Sequence, residues 1–268
     1  MLAVRRELRL LVQYLEEVRR RKDLLLYLVS SDLRAQHRNT FLGYLWWLLD
    51  PILNLIIYYF VVGIVFRRGG PDYILHLIVA LSVWRWFQAT LTTATRSIVS
   101  RASIISQVYL PKVIFPLSTA LTQAVNFGFS LIVVFIFILL AGRVPGLELV
   151  WLPLVIGAQL IFTIALALPL AYISVFVRDM DNLTQHLMRL WFYASPVVWT
   201  VDFIPQAWLW VVNINPMAYF LSAYRNILLY QRAPNVVALL SIASLSLACV
   251  VCTGYFYSRN EHRMIKVL

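Results

Sequence analysis

The chain has 268 residues, 61% of them hydrophobic, with a mean hydropathy of +0.77 and a formal net charge of +11. A soluble domain is roughly half apolar, so a water-surrounded globule is excluded and a membrane protein is indicated. The basic residues sit at the edges of apolar segments, where topology signals are laid out, so the charge excludes nucleic acid as the expected partner.

Residues 1–40 form a cytoplasmic N-terminal segment carrying nine Lys/Arg, among them "RRRKD" at 19–23. No short apolar core precedes a small-residue cleavage site, so targeting is expected to come from the first span. Within this segment, Leu25, Leu28, Val29 and Leu33 fall near helical spacing. That pattern predicts an amphipathic interface helix over 23–36.

Six spans are expected, at about 41–66, 74–94, 113–140, 150–176, 184–201 and 235–257. Each is near or above the ~20 residues needed to cross the hydrocarbon core. With both termini inside, the inner connections hold seventeen Lys/Arg. The outer ones hold five: Arg67, Arg68, Arg143, Arg225 and Arg232. This asymmetry predicts cytoplasmic N- and C-termini, with 258–268 as a cytoplasmic tail. The fold class expected is therefore an all-α polytopic membrane protein.

Two connections do not read as free loops. "SRASIISQVYLPKVIF", 100–115, is cytoplasmic by the charge count yet apolar at Ile104, Ile105, Val108, Tyr109 and Leu110. Ile104, Ile105 and Val108 lie three and four apart, on one face of a helix that Pro111 would stop. A helix over 101–110, opened by Arg101, is predicted to present that face to another protein. Residues 205–230 predict two short helices started at Pro205 and Pro216, dipping back into the outer leaflet. A seventh span here would flip the C-terminus and spoil the charge count.

No phosphate loop of the form G-x-x-x-x-G-K-[ST] is present, so the chain has no ATP site of that kind. The four His are scattered, and Cys249 and Cys252 lie inside an apolar span without a second pair. No metal site is expected, and the chain is not read as an enzyme. Asp50 is the clearest acid at membrane depth and has no counterpart in the second half, which is thin support for an ion-coupled carrier. A transport subunit driven by a separate ATPase remains, with 101–110 as the part that docks on the motor.

Four ordered stretches carry a resemblance. They are "RNTFLGYLWWLLDPILNLIIYYFVVGIVF" (38–66), "SRASIISQVYLPKVIFPLSTALTQAVNF" (100–127), "VRDMDNLTQHLMRLWFYASPVVW" (177–199) and "INPMAYFLSAYRNILL" (214–229). The chain resembles the permease subunits of ABC exporters for cell-surface polysaccharides, in register from about 22 to 257. The resemblance implies a six-span permease of the bacterial cytoplasmic membrane. It implies a homodimer that docks two ATP-binding subunits, which hold the ATP and Mg. It also implies a glycan or polyol-phosphate polymer on an undecaprenyl-diphosphate lipid, wall teichoic acid being favoured over O-antigen or capsule. The matched coupling helix is 101–110. An exporter of the same architecture for a drug or small lipid is the alternative. Two departures stand out: Asp50 where the family often has Asn or Gln before the proline, and "VWRWFQ" near the second span. No carbohydrate-binding domain is expected after the last span.

Candidate roles follow. The docking surface is predicted to include Arg101, Ile104, Ile105, Val108, Tyr109 and Leu110, with Arg178, Asp179 and Asp181 as a second charged contact or inner lock. The substrate path is predicted from residues with a polar handle or a sugar-binding ring: Asp50, Tyr58, Tyr59, Arg85, Phe87, Trp191, Phe192, Tyr193 and Trp199. Arg85 lies about a dozen residues, up to ~18 Å, from the outer end of its span. A cation at that depth faces protein or a water cavity.

Overall fold

The computed structural model describes residues 16–38, 40–67, 72–105, 110–201 and 204–267. Within them all regular structure is helical. The helices are α1 (Lys22–His37), α2 (Trp46–Tyr58), α3 (Tyr73–Arg96), the single turn α4 (Ala102–Ile105), α5 (Ile114–Leu140) and α6 (Leu152–Phe176). They continue with α7 (Met180–Ala194), α8 (Leu209–Ile214), α9 (Pro216–Leu228) and α10 (Val236–Val267). A wider π turn, Tyr59–Val65, extends α2. Five of the described helical stretches are long and apolar enough to cross a bilayer: Trp46–Val65, Tyr73–Arg96, Ile114–Leu140, Leu147–Phe176 and Val236–Val267. The chain is an all-α polytopic membrane protein.

The bundle is built around α3. Its apolar window is 72% buried, against 11% for Trp46–Val65 and 17% for Val236–Val267. α5, α6, α2, α7 and α9 all pack on it, and α10 packs outside against α6. The core is aromatic. Phe87 stacks with Phe162 at 5.7 Å and meets Trp191 edge-on at 5.1 Å. Trp86 stacks on Phe127 at 4.5 Å, and Phe127 meets Tyr224 at 5.7 Å. Such offset and edge-on pairs add to dispersion packing, which matters where lipid supplies no hydrophobic drive between helices. α6 contributes small buried residues, Ala158, Ala165, Ala167 and Ala171, that let its neighbours approach.

Several polar groups in this apolar setting are satisfied locally. Thr90, Thr92 and Thr95 hydroxyls each donate to the carbonyl four residues back, at 2.8 to 2.9 Å. Buried Gln159 donates through Nε2 to Val83 O at 3.3 Å and ties α6 to α3. α5 ends at Gly142, whose φ of +72° and bond to Leu139 O at 2.9 Å close the helix terminus.

The span expected over 184–201 is a shorter and earlier helix. α7 stops at Ala194, fifteen residues from its start. Ser195 is extended at φ −104°, ψ 146°, as the residue before Pro196 is pushed to be, and an irregular turn follows. Composition kept 195–201 apolar, but the proline took it out of the helix. Residues 205–230 hold α8 and α9. Asn215 caps α9 by accepting from Met217 N at 3.0 Å, with Pro216 at the first helical position.

Candidate functional site

α2 and α7 stand on either side of α3 and leave a groove between them. The groove encloses about 460 Å³. Asp50, Asn54 and Tyr58 line it from α2, Ser82, Arg85, Gln88 and Thr92 from α3, and Arg189, Phe192 and Tyr193 from α7. Helical spacing explains each set. Asp50, Asn54 and Tyr58 are four apart, and Ser82, Arg85, Gln88 and Thr92 are three and four apart, so each set forms one stripe.

At the centre Arg85 Nη2 donates to Asp50 Oδ2 in a close ion pair. The two side chains keep 43% and 36% of their exposure, so the pair sits at membrane depth but borders open space. A charge at that depth is supported by a partner and an open polar cavity, and both are here. Asn54 Nδ2 donates to Asp50 O at 2.8 Å across the helix that Pro51 interrupts, and Trp84 Nε1 donates to Gln88 Oε1 at 2.8 Å. Tyr58, Phe192 and Tyr193 form a ring wall, with centroids 5.5 and 5.2 Å apart. Behind the pair lies a second cleft of about 210 Å³ that shares Asp50 and Arg85 and continues to Gln36, Gln123 and Asn126. The ion pair is thus the wall between two polar clefts.

Of the residues expected on the path, Asp50, Tyr58, Arg85, Phe192 and Tyr193 line this groove. Phe87 does not: it is wholly buried in the aromatic core. Trp191 is directed into the same core and donates from Nε1 to Asn215 Oδ1 at 2.9 Å, so it braces α7 against α9. Trp199 donates to Tyr193 O at 3.0 Å and Tyr59 packs beside Gly63, both away from the groove lining. Trp199 lies in the irregular turn past α7, and helical rotation accounts for the other three. An aromatic run such as Trp191-Phe192-Tyr193 rotates 100° per residue, so its three rings cannot all share one face. Asn54, Ser82, Gln88, Thr92 and Arg189 were not anticipated. Their signal was the polar stripe at helical spacing through otherwise apolar helices.

At the opposite end of α3 from Tyr73, three ion pairs surround the apolar connection. Arg101 Nη2 donates to both Asp32 oxygens, at 2.6 and 2.7 Å, joining it to α1. Lys112 pairs with Glu261 of α10 at 3.2 Å, and its backbone N donates to the same carboxylate at 3.0 Å. Arg96 makes a two-point bond to Asp181, with Nε to Oδ1 at 2.6 Å. The hydrogen bonds from Arg96 hold the Asp181 carboxyl below its ordinary range. Arg178 and Asp179 are exposed in the tight link between α6 and α7.

Of the helix expected over 101–110, the described residues cover 101–105 and 110. A 3-10 turn, Val99–Arg101, leads into α4, described over Ala102–Ile105. Val108 and Tyr109 lie outside the described residues, as does the side chain of Ile104. Ile105 and Leu110 are buried in the chain's own core with Ile98, Val113, Phe115, Val175, Tyr257 and Met264. These two side chains therefore face the chain's own core. Periodicity found the apolar face but could not tell which chain covers it.

Comparison with known proteins now adds to the geometry. Residues 23–229 match the model of the ABC-2 type transporter family. A Klebsiella pneumoniae protein named O-antigen export system permease protein RfbA is 31% identical over 206 residues, covering 76% of this chain and 80% of the relative. A Myxococcus xanthus protein of the same name is 30% identical over 254 residues, covering 94% of this chain and 98% of the relative.

Proposed function

Because this chain belongs to the ABC-2 type transporter family, we propose that it is the permease subunit of an ATP-driven exporter for a lipid-linked cell-surface polysaccharide. The relatives are named for O-antigen export, so the reading shifts from the wall teichoic acid favoured by sequence to an O-antigen type polymer. The observation that carries the proposal is the α2–α3–α7 groove, with a half-exposed ion pair at its centre and tyrosines along one wall. Rings with hydroxyl handles suit both the C–H faces and the hydroxyls of a sugar chain.

The groove is half a conduit. Its flanks expose Leu53, Ile56, Ile57 and Phe60 on α2 and its π extension, and Leu183, Leu187 and Leu190 on α7. A second copy laid on these flanks would enclose a passage lined twice by the same residues, as an isologous dimer does. The diphosphate of an undecaprenyl carrier would travel with the polymer. ATP and Mg belong to two copies of a separate ATPase docked at the Arg101–Lys112 end, which is taken as cytoplasmic. Arg178 and Asp179 are exposed at that end, and they are proposed to meet the ATPase while Ile105 and Leu110 anchor the segment from within. Motion imposed on it would reach α1 through Asp32 and α10 through Glu261.

The test is co-expression with its ATPase, reconstitution in vesicles, and measurement of ATP-dependent movement of a lipid-linked polymer. Movement that needs both chains and ATP is expected. A permease that purifies without any ATPase, or vesicles that move drugs but no lipid-linked polymer, would sink the proposal.

A further inference from the structure

At the other end of the bundle a cavity of about 360 Å³ lies between α3, α9 and the turn after α7. Arg225 of α9 lines it and keeps only 8% of its exposure. Its Nη2 donates to Val197 O at 3.1 Å and, marginally, to His76 O at 3.5 Å. Both are neutral carbonyls. No carboxylate among the described residues pairs with this guanidinium, and its Nε has no hydrogen-bond partner there. The nearby Asp72 is engaged by Arg143 at 2.6 Å. Asp202 lies outside the described residues.

A guanidinium stays protonated in proteins, so the fold carries a fixed positive charge in a nearly dry place. Burying a charge is costly unless a counter-charge and hydrogen bonds offset it. The remaining lining is rich in hydrogen-bonding groups and holds no acid among the described residues: Tyr219, Ser222, Asn226 and Tyr230 stand round Arg225. Tyr230 Oη lies 2.6 Å from His76 Nε2, whose ring has its buried Nδ1 without a partner among the described residues. One cation, several neutral donors and no acid make up the chemistry of an oxyanion site.

We propose that this cavity binds the phosphate group of a phosphate or diphosphate ester through Arg225, Ser222 and Asn226 at the outer end of the bundle. Assigning that phosphate to the exported lipid carrier rests on the function proposed above; the anion site itself does not. On that reading the site receives the phosphate of the carrier, or of an anionic lipid beside it, once the headgroup has crossed.

The test uses the purified full chain and thermal unfolding. Three probes separate the sources: inorganic phosphate against chloride at equal ionic strength, nanodiscs of phosphatidylglycerol against phosphatidylcholine, and added undecaprenyl diphosphate. At least one should raise the wild-type Tm, and the probe that does so names the source. Arg225→Gln should weaken that response by about tenfold or more, the loss of a charge-assisted contact. Ser222→Asp guards against an Arg225 variant that does not fold. It puts a carboxylate one turn from the guanidinium, on the same helix face. It should raise the Tm without any probe and abolish the response. No response of the wild type to any probe overturns the site. So does an Asp202→Asn variant as destabilised as Arg225→Gln, because the charge would then have an internal partner. Retained binding with no polymer transport would sink the proposed function and leave the site standing.

Discussion

Two ion pairs in this molecule join charges across helices and differ in almost everything else. Lys112–Glu261 is sealed, with side-chain exposures of 0% and 6%, and ties the start of α5 to the end of α10. Asp50–Arg85 keeps 43% and 36% and borders two clefts. A sealed pair cannot meet a substrate, and its removal leaves a charge in a dry interior, so it serves the fold. A half-exposed pair can be hydrated when broken, so its loss costs the fold little. Burial, more than the identity of the residues, separates the clamp from the pair proposed to meet substrate.

Mutations can break or sharpen this contrast. The largest effect is expected from Glu261→Ala, which leaves the Lys112 ammonium buried without its carboxylate. A loss of about 3–5 kcal/mol is expected, read as failed accumulation of folded protein in membranes or a large fall in Tm. Wild-type stability in this variant would show that water reaches the pair. Next is Asp50→Ala. Polymer translocation should fall on the order of tenfold, equivalent to about 1.4 kcal/mol in a barrier, while Tm moves little. A collapse in Tm would make this pair a clamp too.

The exchange Asp50→Arg with Arg85→Asp sharpens the point. Stability should stay near wild type, because the attraction is symmetric. Translocation should stay low, because the charge facing each cleft is reversed. Full transport in the exchanged protein would mean that only neutrality matters there. The smallest effect belongs to Arg96→Gln, at a pair that is largely in water, where about 0.2–1 kcal/mol is expected. Its sign with pH follows from the lowered Asp181 carboxyl. The contribution is complete above the ordinary aspartate range and is lost as pH falls through the depressed value. Thermal unfolding between neutral and acid pH, with and without Arg96, checks it.

The membrane class, the long apolar helices and the polar residues at depth were legible because each depends on local composition and period. Arg85 and Asp50 were marked as anomalies in apolar runs, and both line the groove. The aromatic assignments fared less evenly. Trp191, Phe192 and Tyr193 are neighbours in sequence, yet one braces the core while the other two reach the groove. The amphipathic spacing of Ile105 predicts a face for another protein; the side chain is buried in a cluster with residues of α6 and α10 of the same chain. The helix end at Ala194 was legible in Pro196, but the apolar run through 201 outweighed it.

By itself the sequence determined which segments prefer lipid, where basic residues punctuate them, and that Asp50 and Arg85 needed partners. Hydropathy, charge count and desolvation cost all act on a residue where it stands. Only the tertiary structure decided that these two charges answer each other, that Glu261 reaches Lys112 across 149 positions, and that Arg225 has no acid beside it among the described residues. Pairing and burial are properties of distance in space, and chain order does not carry that distance.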